Sequence, residues 1–305
     1  MTEPSETTER MPAAVDLRRF RPMALMLLST ASFACMHGAI RHVSQDLLMH
    51  PFEIAFFRNL VALLLLSSLV FRYGLEPFRT SRPGLQFARG GLNAVAMLMF
   101  FYAVSITPLA EVAALSFTAP LFATVLAAFV LGEVVRLRRW TAVAVGFLGT
   151  LIVLQPGAGA FSSGALLIIG SSSLWASALI IIKVLSRTES SVTITAYMAI
   201  VLTPLTFIPA YFVWQWPTTE QLLWLIAIGS LGTVAQTTMA QAMKEADASA
   251  LFPFDFTRLI WGAVIGYLAF SEIPGLNTWV GGSVIFASTA YIAWRESKLK
   301  SGETR

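Results

Sequence analysis

Polar and charged residues along the chain are gathered into short clusters separated by long apolar intervals. Residues 22 to 40, 90 to 110 and 112 to 132 contain no Asp, Glu, Lys or Arg. Each interval is about the ~20 residues that an α-helix needs to cross ~30 Å of hydrocarbon. The interval between Arg139 and Lys183 is twice as long and is divided by the turn-rich run Gln155 to Gly164. Further charge-free stretches cover 190 to 219, 221 to 243 and 273 to 294, while 51 to 72 contains Arg58 and 248 to 271 contains Asp255 and Arg258. The pattern predicts ten helices, at 23 to 43, 51 to 72, 85 to 106, 109 to 132, 138 to 155, 163 to 184, 192 to 214, 221 to 242, 248 to 270 and 276 to 295. Short connections make sequence neighbours antiparallel. Residues 1 to 20 read as a disordered tail and 296 to 305 as a second tail.

Composition turns this pattern into a fold class. Of 305 residues, 56% are hydrophobic and 12% charged, against about 25% charged in a soluble domain. So few charges cannot cover a water-facing surface of this size, and lipid must replace water around much of it. The expectation is an all-α polytopic membrane protein. The single cysteine, Cys35, excludes an intramolecular disulfide and a cysteine-based metal centre.

Charge sets the orientation. Of 21 basic residues, 18 fall in the tails and in alternate loops, Arg41 alone falls in the opposite loops, and Arg58 and Arg258 lie inside helices. This bias puts both termini in the cytoplasm. It also explains the net charge of +4 without a nucleic-acid partner.

At an offset of 139 the chain aligns with itself. Gly90, Leu92 and Ala96 fall on Gly229, Leu231 and Ala235; Phe117-Thr118 on Phe256-Thr257; Val125 on Val264; Glu133 on Glu272; and Trp140 on Trp279. Helices 3, 4 and 5 then match 8, 9 and 10, so ten spans divide into two sets of five. An odd number of spans per set inverts the second set. Inverted repeats are an architecture of secondary transporters, with substrate bound near the midplane at the repeat interface.

Ionisable groups within the spans are the first candidates for handling substrate, because burying them costs roughly 2.5 to 3.5 kcal/mol. Arg58 lies seven residues into helix 2 and suits a carboxylate or phosphate, or alternatively a structural pair with Glu53. Asp255 and Arg258, three apart, share a helical face and either neutralise each other or clamp a zwitterion. His37, in mid-helix, is a candidate proton relay, as is Asp255, and a lone His also serves as a packing residue. Glu133 and Glu272 end helices at equivalent positions, which suits structural or gating pairs.

The run Phe57-Arg58, Arg89-Gly90-Gly91, Thr107-Pro108-Leu109-Ala110-Glu111-Val112-Ala113-Ala114-Leu115, Pro120, Gly132-Glu133 and Gly146-Phe-Leu-Gly149 resembles an EamA domain of the drug/metabolite transporter superfamily. The second copy, ending in Ser271-Glu272 and Trp279, resembles a diverged EamA domain. Repeats at 21 to 156 and 157 to 295 are then expected. The resemblance implies an inner-membrane carrier whose cavity is lined by helices 1 to 4 and 6 to 9. It implies substrates from amino acids, which are exported, to riboflavin or S-adenosylmethionine, which are imported. On the cavity helices Asn93, Ser116, Trp175, Tyr197, Gln236 and Thr257 join the candidate substrate-binding residues. Two departures stand out: Ser271 where the first copy has Gly132, and the more polar Phe252 to Arg258 segment.

The expected function is export of amino acids or related compounds, with cofactor import as the alternative and a membrane enzyme ranked below both. No HExxH, GxSxG, Asp-rich or Walker motif is present, so neither catalysis nor a cofactor or metal is expected. The expected partners are a small-molecule substrate and the lipid bilayer, with the chain a monomer or a homodimer.

Overall fold

The computed structural model describes residues 21–73, 80–132, 137–155, 162–185, 188–189, 191–245, 251 and 254–303. The tail expected at 1 to 20 lies outside them, as does Glu133. The described residues contain no strand. They form eleven α-helices: α1 (Arg21–Gln45), α2 (Pro51–Tyr73), α3 (Pro83–Ile106), α4 (Leu109–Ser116), α5 (Ala119–Val130), α6 (Leu137–Leu154), α7 (Ser163–Leu185), α8 (Ser191–Phe212), α9 (Thr219–Glu245), α10 (Thr257–Phe270) and α11 (Leu276–Glu303).

Local chemistry sets several of these limits. Pro51 and Pro83 open α2 and α3, where a missing N–H costs no helical hydrogen bond. Pro108 forces Thr107 out of the helical region, to φ −121° and ψ 141°, and so ends α3. Gly132 ends its helix at φ 66°, and Ser271, its repeat equivalent, ends α10 at φ 56°. Both copies therefore close with a left-handed residue, although only one has a glycine there. Residues 296–303, expected as a tail, continue α11 as helix.

The expected fourth helix is not continuous. Around Phe117 and Thr118 the backbone tightens to i−3 bonds: Phe117 N–H donates to Ala114 at 3.3 Å, Thr118 to Leu115 at 3.0 Å and Leu121 to Thr118 at 2.9 Å. This 3₁₀ constriction divides α4 from α5. The same geometry opens α10, where Leu259 N–H donates to Phe256 at 3.0 Å. The two constrictions fall on the Phe-Thr pair shared by the repeats.

Five segments are long and apolar enough to cross a membrane: Arg21–Gln45, Pro83–Ile106, Leu109–Val130, Ser163–Leu185 and Thr219–Met243. Trp140–Leu154, Ile200–Phe212 and Thr257–Phe270 are shorter apolar helices. Large apolar side chains such as Phe129, Leu148, Phe212 and Leu268 are exposed, which lipid tolerates and water does not. The helices pack in matched pairs: α1 lies along α9 and α10 as α3 and α5 lie along α7, and α2 touches α9 as α3 touches α8. The pair α6 and α11 stands beside the others, attached through α4. There Gly149 and Gly281 bring backbones together, since a Cβ on Gly281 would lie 2.6 Å from the Gly149 carbonyl.

Candidate functional site

Several polar groups within the bundle gather at one face of α1. Ser29, Thr30, Phe33, Met36 and His37 recur at the three- and four-residue spacing that stacks side chains along a helix. Ser29 Oγ donates to the Ala235 carbonyl of α9 at 2.8 Å. The hydroxyls of Thr30 and Thr257 are 2.8 Å apart, joining α1 to the start of α10. The aromatic rings at the two constrictions also meet, Phe117 and Phe256 stacking at 6.0 Å.

One turn along α1, Arg258 lies over the Phe33 ring at 5.2 Å and donates through Nη2 to Asp255 Oδ1 at 2.9 Å. His37 stacks on Phe33 at 6.2 Å and meets the edge of Phe100 at 5.1 Å. Arg58 reaches the same place from α2, against Met36 and Gly232: a Cβ on Gly232 would lie 3.0 Å from the Met36 sulfur and 3.1 Å from Arg58 Nε. Arg58 Nη1 donates to Asn59 Oδ1 at 3.0 Å, and Asn59 Nδ2 donates to Thr206 Oγ1 at 3.2 Å. The pairing of Arg58 with Glu53 does not form. Glu53 Oε1 instead accepts from the Gln215 N–H at 2.7 Å. Among the described residues no carboxylate faces Arg58, and its Nε is buried without a partner.

The other candidates are more dispersed. Asn93 is buried on α3, and Gln236 on α9 follows the Ala235 that anchors Ser29. Tyr197 is half-buried on α8. Ser116 donates to Val112 O at 2.6 Å, which commits its hydroxyl to its own helix. Trp175 is 42% exposed and is not joined to the α1 cluster by a polar contact among the described residues. Residues passed over in the sequence hold the cluster together: Thr30, whose partner Thr257 belongs to the repeated Phe-Thr pair, and Asn59, adjacent to Arg58.

At the bundle end that holds the α1–α2 turn, Arg41 closes a second network. It forms an ion pair with Glu272 and donates through Nη1 to the Thr107 carbonyl at 2.7 Å. Glu272 Oε2 accepts from the Leu109 N–H at 3.0 Å, and Gln45 Nε2 donates to Ser105 O at 2.6 Å. Arg41 also packs over Phe270 at 4.9 Å. Three segments of the bundle are thereby tied at one end: the end of α1, the α3–α4 link and the α10–α11 link. The opposite end is held by Arg21 with Glu245 at 3.0 Å, and by Glu189, whose Oε1 accepts from Ser81 N–H and Oγ at 2.8 Å each and from Thr80 Oγ1 at 3.0 Å. The Ser81 bonds hold the Glu189 carboxyl below the usual carboxylate range.

Comparison with known proteins gives the family. Two stretches, residues 21–155 and 162–294, match the family described as EamA-like transporters. The chain is 33% identical over 253 residues to the S-adenosylmethionine uptake transporter of Rickettsia bellii, covering 83% of this chain and 87% of the relative. It is 30% identical to the riboflavin transporter of Vibrio cholerae, covering 91% and 94%, and 28% identical to a pseudopaline exporter of Pseudomonas aeruginosa, covering 86% and 92%. A solved crystal structure shares the fold at a TM-score of 0.59 and 16% identity, covering 92% of this chain and 99% of that one. With both halves matched and relatives of this identity spanning most of its length, the chain belongs to the EamA-like transporter family.

Proposed function

We propose that this protein is a ten-span secondary transporter, built as two inverted five-helix repeats, that moves a small metabolite across the inner membrane by alternating access. Both termini face the cytoplasm in this reading, so the Arg41–Glu272 network is a closed periplasmic gate. The observation that carries it is the meeting of the repeats at α1, where Thr257 reaches Thr30 and the equivalent Phe117 and Phe256 stack. Secondary transporters of inverted-repeat architecture place substrate near mid-depth where helices are interrupted, and both constrictions lie where the repeats meet. α6 and α11, packed on each other, serve as the peripheral pair.

The sequence alone ranks amino-acid export first. The names of the relatives give uptake of a cofactor-like metabolite at least equal weight, and we place import of such a compound beside export as the activity to test. The test is purified protein in liposomes, offered labelled S-adenosylmethionine, riboflavin and methionine with and without a pH gradient. Saturable uptake of one compound supports the reading. Failure of all three to move, together with conversion of a lipid or solute by the chain, overturns it in favour of an enzyme.

A further inference from the structure

We infer that the substrate carries a carboxylate and that Arg58 is the residue that binds it. This rests on the transporter reading above and adds the chemical class of what is carried. The two guanidiniums at the α1 face are not equivalent. Arg258 has its countercharge in Asp255 at 2.9 Å and is shielded by the Phe33 ring. Arg58 has neither: its one hydrogen bond among the described residues goes to the neutral amide of Asn59, and although the Nε of both guanidiniums is buried without a partner, only Arg258 has a carboxylate beside it. Glu53, the nearest carboxylate in sequence on its helix, is turned to the backbone of Gln215.

At this face, among the described residues, two guanidiniums, Arg58 and Arg258, stand against one carboxylate, Asp255, so Arg58 is left without a countercharge. An uncompensated buried charge is among the most unfavourable features a membrane protein can hold, and it persists where a ligand supplies the countercharge. A carboxylate supplies the one countercharge that Arg58 lacks, whereas the dianion of a phosphate monoester would bring more negative charge than the guanidinium balances. The planar fork of Arg58 matches a carboxylate in two parallel hydrogen bonds, one of which can use the unpaired Nε. Asn59, held by Thr206 at 3.2 Å, positions the guanidinium. One turn away Phe33, His37 and Phe100 form a row of rings with centroids 5.1 to 6.2 Å apart, which fits a flat or apolar body attached to the acid.

The experiment compares acid and amide forms of the same compounds in proteoliposomes: methionine with methioninamide, phenylalanine with phenylalaninamide, and neutral riboflavin as a compound without an acid. The expected result is acid uptake at least about tenfold faster than amide uptake, because removing the charge leaves Arg58 unpaired. Arg58→Gln abolishes that preference and Arg58→Lys retains part of it. The acid–amide comparison on the unaltered protein stands even if a variant fails to fold. Equal uptake of acids and amides, or faster uptake of riboflavin than of any acid, overturns the carboxylate while leaving the transporter intact. No uptake of any compound overturns the transporter reading and this inference with it.

Discussion

Ser271 shows how one residue can carry a constraint that composition hides. Its backbone is left-handed at φ 56° and ψ 29°, where an L side chain costs about 1 kcal/mol. The turn is kept by hydrogen bonds from Ser271 N–H to Tyr267 at 3.1 Å and from Glu272 N–H to Gly266 at 3.0 Å, and it aims Glu272 at Arg41. Ser271→Gly, which restores the residue of the first copy, is expected to raise thermal stability in detergent by about 1 kcal/mol with transport unchanged. A thermal-shift measurement checks it. Glu189 gives a second residue-scale prediction. Its folded carboxyl is held below its ordinary range by Ser81, so its stabilising effect is complete above the ordinary carboxylate pKa, about 4.3. The effect is lost as pH falls through the lower folded value. The Tm difference between the unaltered protein and Glu189→Gln is therefore expected to hold from pH 7 down to about 4.3 and to shrink as pH falls further towards 3.

At the scale of the element, helix limits were legible because the hydrocarbon core demands about 20 apolar residues whatever their identity. Nine of the ten expected helices begin within a few residues of the described ones, and residues 246–250 and 252–253 at the start of the remaining one lie outside the description. The constriction at Phe117 was not legible. Phe and Thr both fit an α-helix, and the tightening coincides with Thr118 Oγ1 turning back to Leu115 O at 2.7 Å beside Pro120. Its copy is Thr257 Oγ1 donating to Phe254 O at 2.6 Å. The repeat offset named the pair and not its conformation. Arg58 was legible as an ionisable group out of place, whereas the Arg41 network required three links distant in sequence to be brought together.

Two variants test that scale. The Arg41 and Glu272 side chains are 11% and 14% exposed, so Glu272→Gln leaves a largely buried cation and is expected to cost about 3 kcal/mol in the closed form. In the gate proposed above, this variant is expected to open more often: Asn93→Cys, in a Cys35→Ser background, then reacts faster with an impermeant maleimide added from the side of the Arg41 network. Gly281→Val places a side chain against the Gly149 carbonyl, forces α6 from α11 and is expected to cost about 1 to 3 kcal/mol by thermal denaturation.

In the whole molecule α1 packs on α9 as α3 packs on α7, so the two repeats make equivalent contacts with each other. The alternating access proposed above requires two conformations, one open to each side, and in that reading the ion pair between Arg41 and Glu272 holds one of them. In the proposed mechanism substrate crosses by alternating access at the α1 face and not through a continuous pore. Counterflow measures this most directly. Liposomes holding the protein are loaded with unlabelled substrate and offered a trace of the labelled compound outside. A carrier accumulates label transiently above its equilibrium level, with a rate that saturates. Label entry that is indifferent to internal substrate and rises linearly with concentration would contradict the account.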